Sequence, residues 1–131
     1  MHFPPPCRSI LIVASSPIPS GQRTSVLAGV PVLKELFEKS STSGGPYILP
    51  GAGINPGSIR AVMDNLLGDG LSEVHLSGGR WTESEMVYRA EGMGMGASVQ
   101  NEWGIWRTDG NSIREVRSIA DAYLNAKYGM R

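Results

Sequence analysis

Three polar side chains alternate along one predicted strand and are the first candidates for chemistry. Glu73, His75 and Ser77 occupy every second position, so they share one face of the strand, and Val74 and Leu76 take the other. The imidazole could be a metal ligand or a general base, with Glu73 as its orienting partner or as a separate acid. Side chains two residues apart point in parallel and need not touch. A lone histidine is equally compatible with a purely structural role, so both interpretations stay open.

A glycine turn is the second candidate. The run Gly51-Ala52-Gly53 follows the apolar residues 47–50 and precedes Asn55 and Pro56, which are typical of the start of a helix. A strand, a glycine turn and a capped helix expose backbone N–H groups at a helix N-terminus, where phosphate or carboxylate groups bind favourably. The alternative is a tight turn that needs left-handed backbone angles and has no ligand.

These candidates are positioned by an alternation of predicted strands and helices. The helix from Pro56 to about Leu67 separates two strands, which favours parallel pairing through a right-handed crossover and an α/β fold. Its apolar positions recur with the helical period, and they are Ile59, Val62, Met63, Leu66 and Leu67. The other predicted elements are a strand over 9–14, a helix over 31–39, a short helix over 83–89 and a last helix from about 111 to 127.

Composition excludes several classes of protein. The 131 residues carry 12 Lys and Arg against 12 Asp and Glu, so the net charge is zero and no broad attraction to nucleic acid or to an anionic membrane is expected. The single cysteine, Cys7, excludes an internal disulfide. No apolar run approaches the ~18 residues of a membrane span. We expect a soluble protein of the cytoplasm.

The order and spacing of several motifs resemble the copper homeostasis protein CutC family. The motifs are SGQ at 20–22, LAGVPVLKEL at 27–36, LPGAGIN at 49–55, EVHLS at 73–77, MVYR at 86–89, and the closing Thr108-Asp109 and Val116-Arg117. The resemblance implies a TIM-type (β/α)₈ barrel and a role in copper handling. It covers residues 20–131, which would be about the last three βα units of the barrel, and leaves 1–19 as a divergent N-terminal segment.

The resemblance also assigns roles to the candidate residues. It implies that two loops at the carboxyl ends of the last barrel strands bind an anion, through Gly51, Gly53, Ser77 and Gly78 with Arg89 nearby in sequence. Alternatively, these glycines serve turns and Arg89 makes a structural ion pair. Within the implied barrel fold, His75 and Glu73 remain candidate catalytic residues. Whether the chain is an enzyme stays open.

A copper role needs soft ligands, because thioether, thiolate and imidazole groups suit Cu(I). Met93 and Met95 form a Met-Xaa-Met pair whose sulfurs would face one way in an extended chain. Met86 and His75 are further candidate ligands. Against this, methionine is commonly a flexible core filler. Trp81, Trp103 and Trp106 lie in the same irregular stretch and could line a ligand cleft or form a packing corner.

The chain is short for the implied fold. A (β/α)₈ barrel needs ~250 residues, so three explanations compete. The chain could be a truncated or mis-spliced product that is inactive on its own, it could pair with a second copy to complete a barrel, or it could be a small α/β layer that stands alone. The strand over 9–14 could replace the strand that should precede residues 20–22.

Overall fold

The computed structural model describes residues 11–13 and 25–129 of the chain. In chain order the elements are β1 (Leu11–Val13), α1 (Val30–Ser43), α2 (Ile59–Leu66), β2 (Glu73–His75), β3 (Gly79–Thr82), β4 (Ile105–Thr108) and α3 (Gly110–Tyr128). Two short 3-10 helices cover Leu67–Asp69 and Val99–Asn101. The described residues are a mixture of helices and strands, in which β1 and β2 form an open two-stranded parallel sheet. Cys7 and the motif at 20–22 lie outside the described residues.

β2 has a neighbour on both of its edges. β1 runs parallel to it, with Ile12 opposite Val74. On the other edge, the His75 N–H donates to the Pro50 carbonyl over 2.9 Å. Residues 47–50 therefore lie beside β2 as predicted, but they do not form a regular strand, since Pro50 has no N–H to donate to a ladder.

The position of β1 differs from the sequence expectation. β1 lies within the predicted strand 9–14, of which residues 9, 10 and 14 are outside the described part. Consecutive strands of a (β/α)₈ barrel are neighbours, so a strand preceding residues 20–22 should pair with the segment 47–50. β1 pairs with β2 instead.

α1 begins and ends where its residues satisfy or remove free backbone groups. Pro31 in its first turn has no N–H that would need a partner, and Gly44 ends the helix in the left-handed conformation at φ 64°. The Gly44 N–H donates to the Ser40 carbonyl. The helix extends beyond the predicted end at residue 39. Its buried side consists of Leu33 and Phe37.

α2 begins three residues later than predicted, although Asn55 caps the turn that leads into it, as its position before Pro56 predicted. The Asn55 carbonyl accepts the N–H groups of Ser58 and Ile59 over 3.1 and 3.0 Å, so residues 56–58 form a hydrogen-bonded turn that leads into the helix. The predicted apolar positions are all buried, and they are Ile59, Val62, Met63, Leu66 and Leu67. Gly70, at φ 104°, ends the 3-10 helix that follows.

α3 is capped at both ends. The Asp109 side chain accepts a hydrogen bond from the Ser112 N–H at 3.4 Å, and Gly129 closes the helix at φ 61°. Its buried positions are Val116, Ala120 and Leu124. The hydrophobic core lies between these three helices and one face of β2, where Val74 and Leu76 are buried. Among the described helices, none is both long and apolar enough to cross a membrane.

The stretch after β2 forms an antiparallel hairpin that the sequence did not predict. β3 pairs with β4, with Trp81 opposite Trp106. In the described structure, residues 83–89 contain no helix, so the short helix predicted there is wrong. The two strands are separated by more than twenty residues without strong periodicity, which is why no local turn signal indicated their pairing.

Candidate functional site

The three polar residues predicted to share a strand face have different surroundings, and β2 contains only Glu73 and His75 of them, since the strand ends before Ser77. His75 is only 7% exposed, Glu73 is half-buried and Ser77 is exposed. The Ser77 hydroxyl accepts the indole N–H of Trp106 over 3.2 Å, and its carbonyl accepts the Thr108 hydroxyl at 3.0 Å. Ser77 thus anchors the hairpin to the end of β2, while His75 and Glu73 remain on the strand itself.

The glycine turn after residues 47–50 is strongly curved. Ala52 and Gly53 have φ angles of 71° and 77°, two consecutive residues in the left-handed region. The Ala52 carbonyl accepts the Val26 N–H over 2.9 Å, and the Gly53 carbonyl accepts the Ser58 hydroxyl over 2.7 Å. A left-handed alanine is strained, and strain of this kind is concentrated at functional sites.

The start of α2 uses most of its donors internally. The Asn55 N–H donates to the Ser58 hydroxyl over 3.0 Å, and the Gly57 N–H donates to the Asn55 side-chain oxygen over 2.8 Å. The N–H groups of Ser58 and Ile59 donate to the Asn55 carbonyl. An anion at this helix terminus would therefore have to replace hydrogen bonds that already exist, which weakens the case for an anion site here.

The second glycine loop leads into a strand and not into a helix. Gly78 has φ 56°, and a Cβ at this position would collide with the side chain of Ile113 in α3. Its carbonyl accepts the Asp109 N–H over 2.8 Å. Glycine is required here because the hairpin, β2 and α3 approach one another closely.

Arg89 is held by its own loop. Its Nε donates to the Met86 carbonyl over 3.0 Å, and its Nη2 donates to the Ser84 carbonyl over 2.7 Å. The side chain lines a groove beside Trp81 and Glu102. None of its described hydrogen bonds joins it to the two glycine turns, and those from Nε and Nη2 both go to carbonyls of its own loop.

The three candidate methionines are exposed. Met93, Met95 and Met86 are 73%, 95% and 55% exposed. A Cβ on Gly94 or Gly96 would collide with residues 101–102, so the glycine side of this segment faces the chain and the methionine side faces solvent. Nowhere in the described ranges do three or more His, Cys, Asp or Glu residues form a group that could hold a metal ion.

Comparison with known proteins identifies the relatives of this chain. No family model matches it. It is 37% identical over 104 residues to family protein CutC of Pasteurella multocida (strain Pm70), a match that covers 79% of this chain and 40% of the relative. Against the CutC proteins of Citrobacter koseri and Salmonella heidelberg it is 31% and 33% identical over 101 residues, or 76% of this chain and 38% of each relative.

The fold defines the structural class of this chain, and the matches define its family. The described residues mix helices and strands, and the helices pack against the buried face of β2, which pairs in parallel with β1. The chain is related to the CutC family over about four fifths of its own length, so the resemblance of its motifs is confirmed. The chain spans about 40% of the length of the curated relatives it matches.

Proposed function

We propose that this chain takes part in copper homeostasis as a non-enzymatic protein of the cytoplasm that binds or carries Cu(I). The proposal rests on the relation to CutC, with which the resemblance associates copper handling. In it, residues 20–131 are the C-terminal part of a (β/α)₈ barrel and 1–19 are a divergent segment. Helices packed over one face of β2, with residues 47–50 beside it, support this assignment, whereas the place of β1 beside β2 departs from the strand order of a barrel.

The exposed Met93–Met95 pair is the observation that carries the copper proposal. Both thioethers lie on the solvent side of one segment, because the intervening Gly94 faces Glu102. Two soft sulfur ligands from one short segment suit Cu(I) better than harder cations. Met86 would supply a third sulfur. His75 is buried, so it could join this set only after a local opening of the chain around β2.

Anaerobic titration with Cu(I), in competition with a chromophoric Cu(I) chelator, tests this site. The double variant Met93→Leu with Met95→Leu should weaken Cu(I) binding at least about tenfold, because it removes both sulfurs at nearly constant volume. Met63→Leu is the matched control, because Met63 is fully buried in the core. The Cu(I) affinity of this variant should equal that of the unchanged chain. An unaltered affinity in the double variant would show that these methionines are not the ligands.

Single variants define the rest of the ligand set. Met86→Leu should weaken binding further if its sulfur takes part, and His75→Gln should do so only if β2 opens. Circular dichroism of each variant checks that the fold is retained. A loss of affinity in His75→Gln together with a loss of structure would assign His75 a structural role.

A second candidate function is that of a TIM-barrel enzyme that acts on a small phosphorylated or carboxylated substrate. The strained Ala52 next to Gly53, close to the strand that carries His75 and Glu73, favours this alternative. His75 and Glu73 would be its catalytic residues. Gly51, Gly53, Ser77 and Gly78 would bind the anion, and Arg89 could contribute only if its loop moved.

Thermal unfolding in phosphate or sulfate tests the anion site. If the turn binds these anions, they should raise the unfolding midpoint of the unchanged chain, and Gly53→Val should abolish that increase. Gly70→Val is the matched control, because Gly70 also has a positive φ but no described atom lies within 4 Å of where its Cβ would stand. If the midpoint does not respond to either anion, the enzyme proposal loses its main support.

The third alternative concerns the assembly. The chain could pair with a second copy to complete a barrel, or it could be a truncated product that is inactive alone. Size-exclusion chromatography with light scattering distinguishes the two. A discrete dimer supports assembly from two copies, whereas an expanded monomer or a polydisperse aggregate indicates an incomplete barrel.

A further inference from the structure

A groove next to the hairpin is separate from the polar face of β2. It has a volume of about 390 Å³. One wall is the end of β3, and the other is the short helix Val99–Asn101 together with Glu102 and Trp103. This volume falls within the range of about 300–1,000 Å³ that is usual for small-molecule sites. Neither His75 nor the pair Met93 and Met95 lines it.

The aromatic side of the groove is held in place before any ligand arrives. Trp81 contacts Trp106 across the hairpin in an edge-to-face pair, with ring centroids 5.5 Å apart and planes at 69°. The Trp106 indole N–H donates to the Ser77 hydroxyl, so the supporting ring is itself fixed. Trp81 still has 44% of its surface exposed. Trp103 supplies a second indole from the opposite wall.

Two of the polar residues that line the groove, Arg89 and Glu102, are held by hydrogen bonds as well. The carbonyls of Ser84 and Met86 hold the Arg89 guanidinium. One carboxylate oxygen of Glu102 accepts the Gly94 N–H over 2.9 Å, and the Glu102 carbonyl accepts the N–H of residue 96 over 2.6 Å. Side chains that are ordered in advance lose little conformational entropy when a ligand binds.

The lining chemistry narrows the class of ligand. Glu83 and Glu102 outnumber the single cation Arg89, so an anionic ligand is disfavoured. Most lining residues are polar, which disfavours a purely apolar ligand. Carboxylates accept hydrogen bonds from hydroxyls, and carboxamides both accept and donate them. The indole faces carry the negative side of their quadrupole, to which the C–H groups of a sugar ring are attracted.

We propose that this groove binds a neutral polyhydroxylated ring, that is, a monosaccharide or disaccharide. The ring lies against Trp81 or Trp103. Its hydroxyls donate to Glu83 and the Gln100 amide oxygen and accept from Arg89. None of the candidate copper ligands lines the groove, so the two proposals are tested by different side chains.

Two-dimensional ¹H–¹⁵N NMR of the full chain tests the proposal through the three indole signals. The probes are D-glucose, N-acetyl-D-glucosamine and maltose, with sodium phosphate and tetramethylammonium chloride as comparators. We expect at least one sugar to shift the Trp81 and Trp103 signals saturably, with a dissociation constant on the order of 1 mM for such an open site. Sodium phosphate and tetramethylammonium chloride should not produce saturable shifts of these two signals.

Matched variants make the test specific. Gln100→Ala and Glu83→Ala truncate exposed side chains and should each raise the sugar dissociation constant about fivefold, through loss of a hydrogen bond. Tyr47→Ala removes an aromatic ring that is 95% exposed and lies outside the groove, so it should have no effect. The proposal is overturned if no sugar produces saturable shifts, if phosphate or tetramethylammonium does so instead, or if both groove variants bind like the unchanged chain.

Discussion

The helix-covered side of β2 and the hairpin that follows it are held together in different ways. Val74 and Leu76 are buried among helices whose apolar residues recur with the helical period. The hairpin has a half-exposed tryptophan pair and is fixed by hydrogen bonds to Ser77 and by close contacts at glycines. The first region is stabilised by burial of apolar surface, and the second by specific polar contacts and backbone fit.

The contrast extends to the distribution of exposed apolar groups. Within the described residues, the segment 86–99 carries many large apolar side chains in solvent, and they are Met86, Val87, Tyr88, Met93, Met95 and Val99. Contiguous exposed apolar surface commonly marks a site of interaction. The three candidate methionine ligands of copper and one wall of the groove lie in this poorly covered region, while the candidate ligand His75 is buried on β2.

The largest effect should come from removing a core side chain. Leu66 is fully buried in α2, so Leu66→Ala should lower the free energy of unfolding by about 3 kcal/mol through lost burial and a residual cavity. Val99→Ala truncates a side chain that is 89% exposed, so it should change the free energy of unfolding by less than about 0.5 kcal/mol. Urea denaturation followed by circular dichroism measures both. Equal losses would show that the two regions are stabilised alike.

A smaller effect is expected where the two regions meet. Gly78→Ala should lower the free energy of unfolding by about 2 kcal/mol, because the added Cβ meets Ile113 and the left-handed backbone is strained by a side chain. Gly68→Ala is the control, since no described atom lies within 4 Å of the added group and the φ angle is not positive. The control should be neutral or slightly stabilising. A neutral Gly78→Ala would mean that the hairpin and α3 do not approach each other this closely in solution.

The smallest effect concerns a contact between two helices and depends on pH. The Tyr123 hydroxyl donates to an Asp64 carboxylate oxygen at 2.5 Å, and this hydrogen bond, followed by burial and by the charge of Asp64, raises the pKa of Tyr123. Because the folded pKa is raised, the stabilisation is fully present below the unfolded tyrosine pKa of about 10 and is lost as the pH rises through the folded pKa.

Tyr123→Phe removes this dependence. At neutral pH the variant should lose about 1 kcal/mol of unfolding free energy, the usual contribution of one hydrogen bond. The free energy of unfolding, measured by urea denaturation from pH 8 upward, should fall for the unchanged chain but less for the variant. Parallel pH profiles would show that Asp64 does not hold the hydroxyl in solution.

The parts of the fold that were predictable are those specified by local rules. The apolar stripe of α2 and the alternation of Val74 with His75 follow from residue spacing within one element. The buried side of α1 was predicted only in part: Leu33 and Phe37 are buried, but Val32 and Leu36, which the same spacing assigned to that side, are exposed. Glycines and prolines at element ends were reliable because their backbone angles are constrained wherever they stand. The start of α2 was displaced since the Asn55 turn adds three residues before regular helix geometry.

The candidate site was predicted less completely. The turn at Gly51 and the shared face of Glu73 and His75 are local features, and both are present. Arg89 was expected near the glycine turns from its place in the sequence, yet its hydrogen bonds remain within its own loop. The sequence left open whether Trp81, Trp103 and Trp106 line a ligand cleft or form a packing corner. Trp81 and Trp103 line the groove, whereas Trp106 packs against Trp81. The polar lining was not predicted, because the walls come from residues separated by about twenty positions that meet only through the pairing of β3 with β4.

The sequence by itself determined the α/β class, the core faces of the helices and the relation to CutC, because each depends on local periodicity or on ordered motifs. Only the tertiary structure decided that β1 lies beside β2, that Ser77 anchors a hairpin and that Trp81 faces a groove. Such pairings join residues far apart in the chain. Their free energy depends on how the side chains of both partners pack in the folded protein, so no local sequence pattern indicates them.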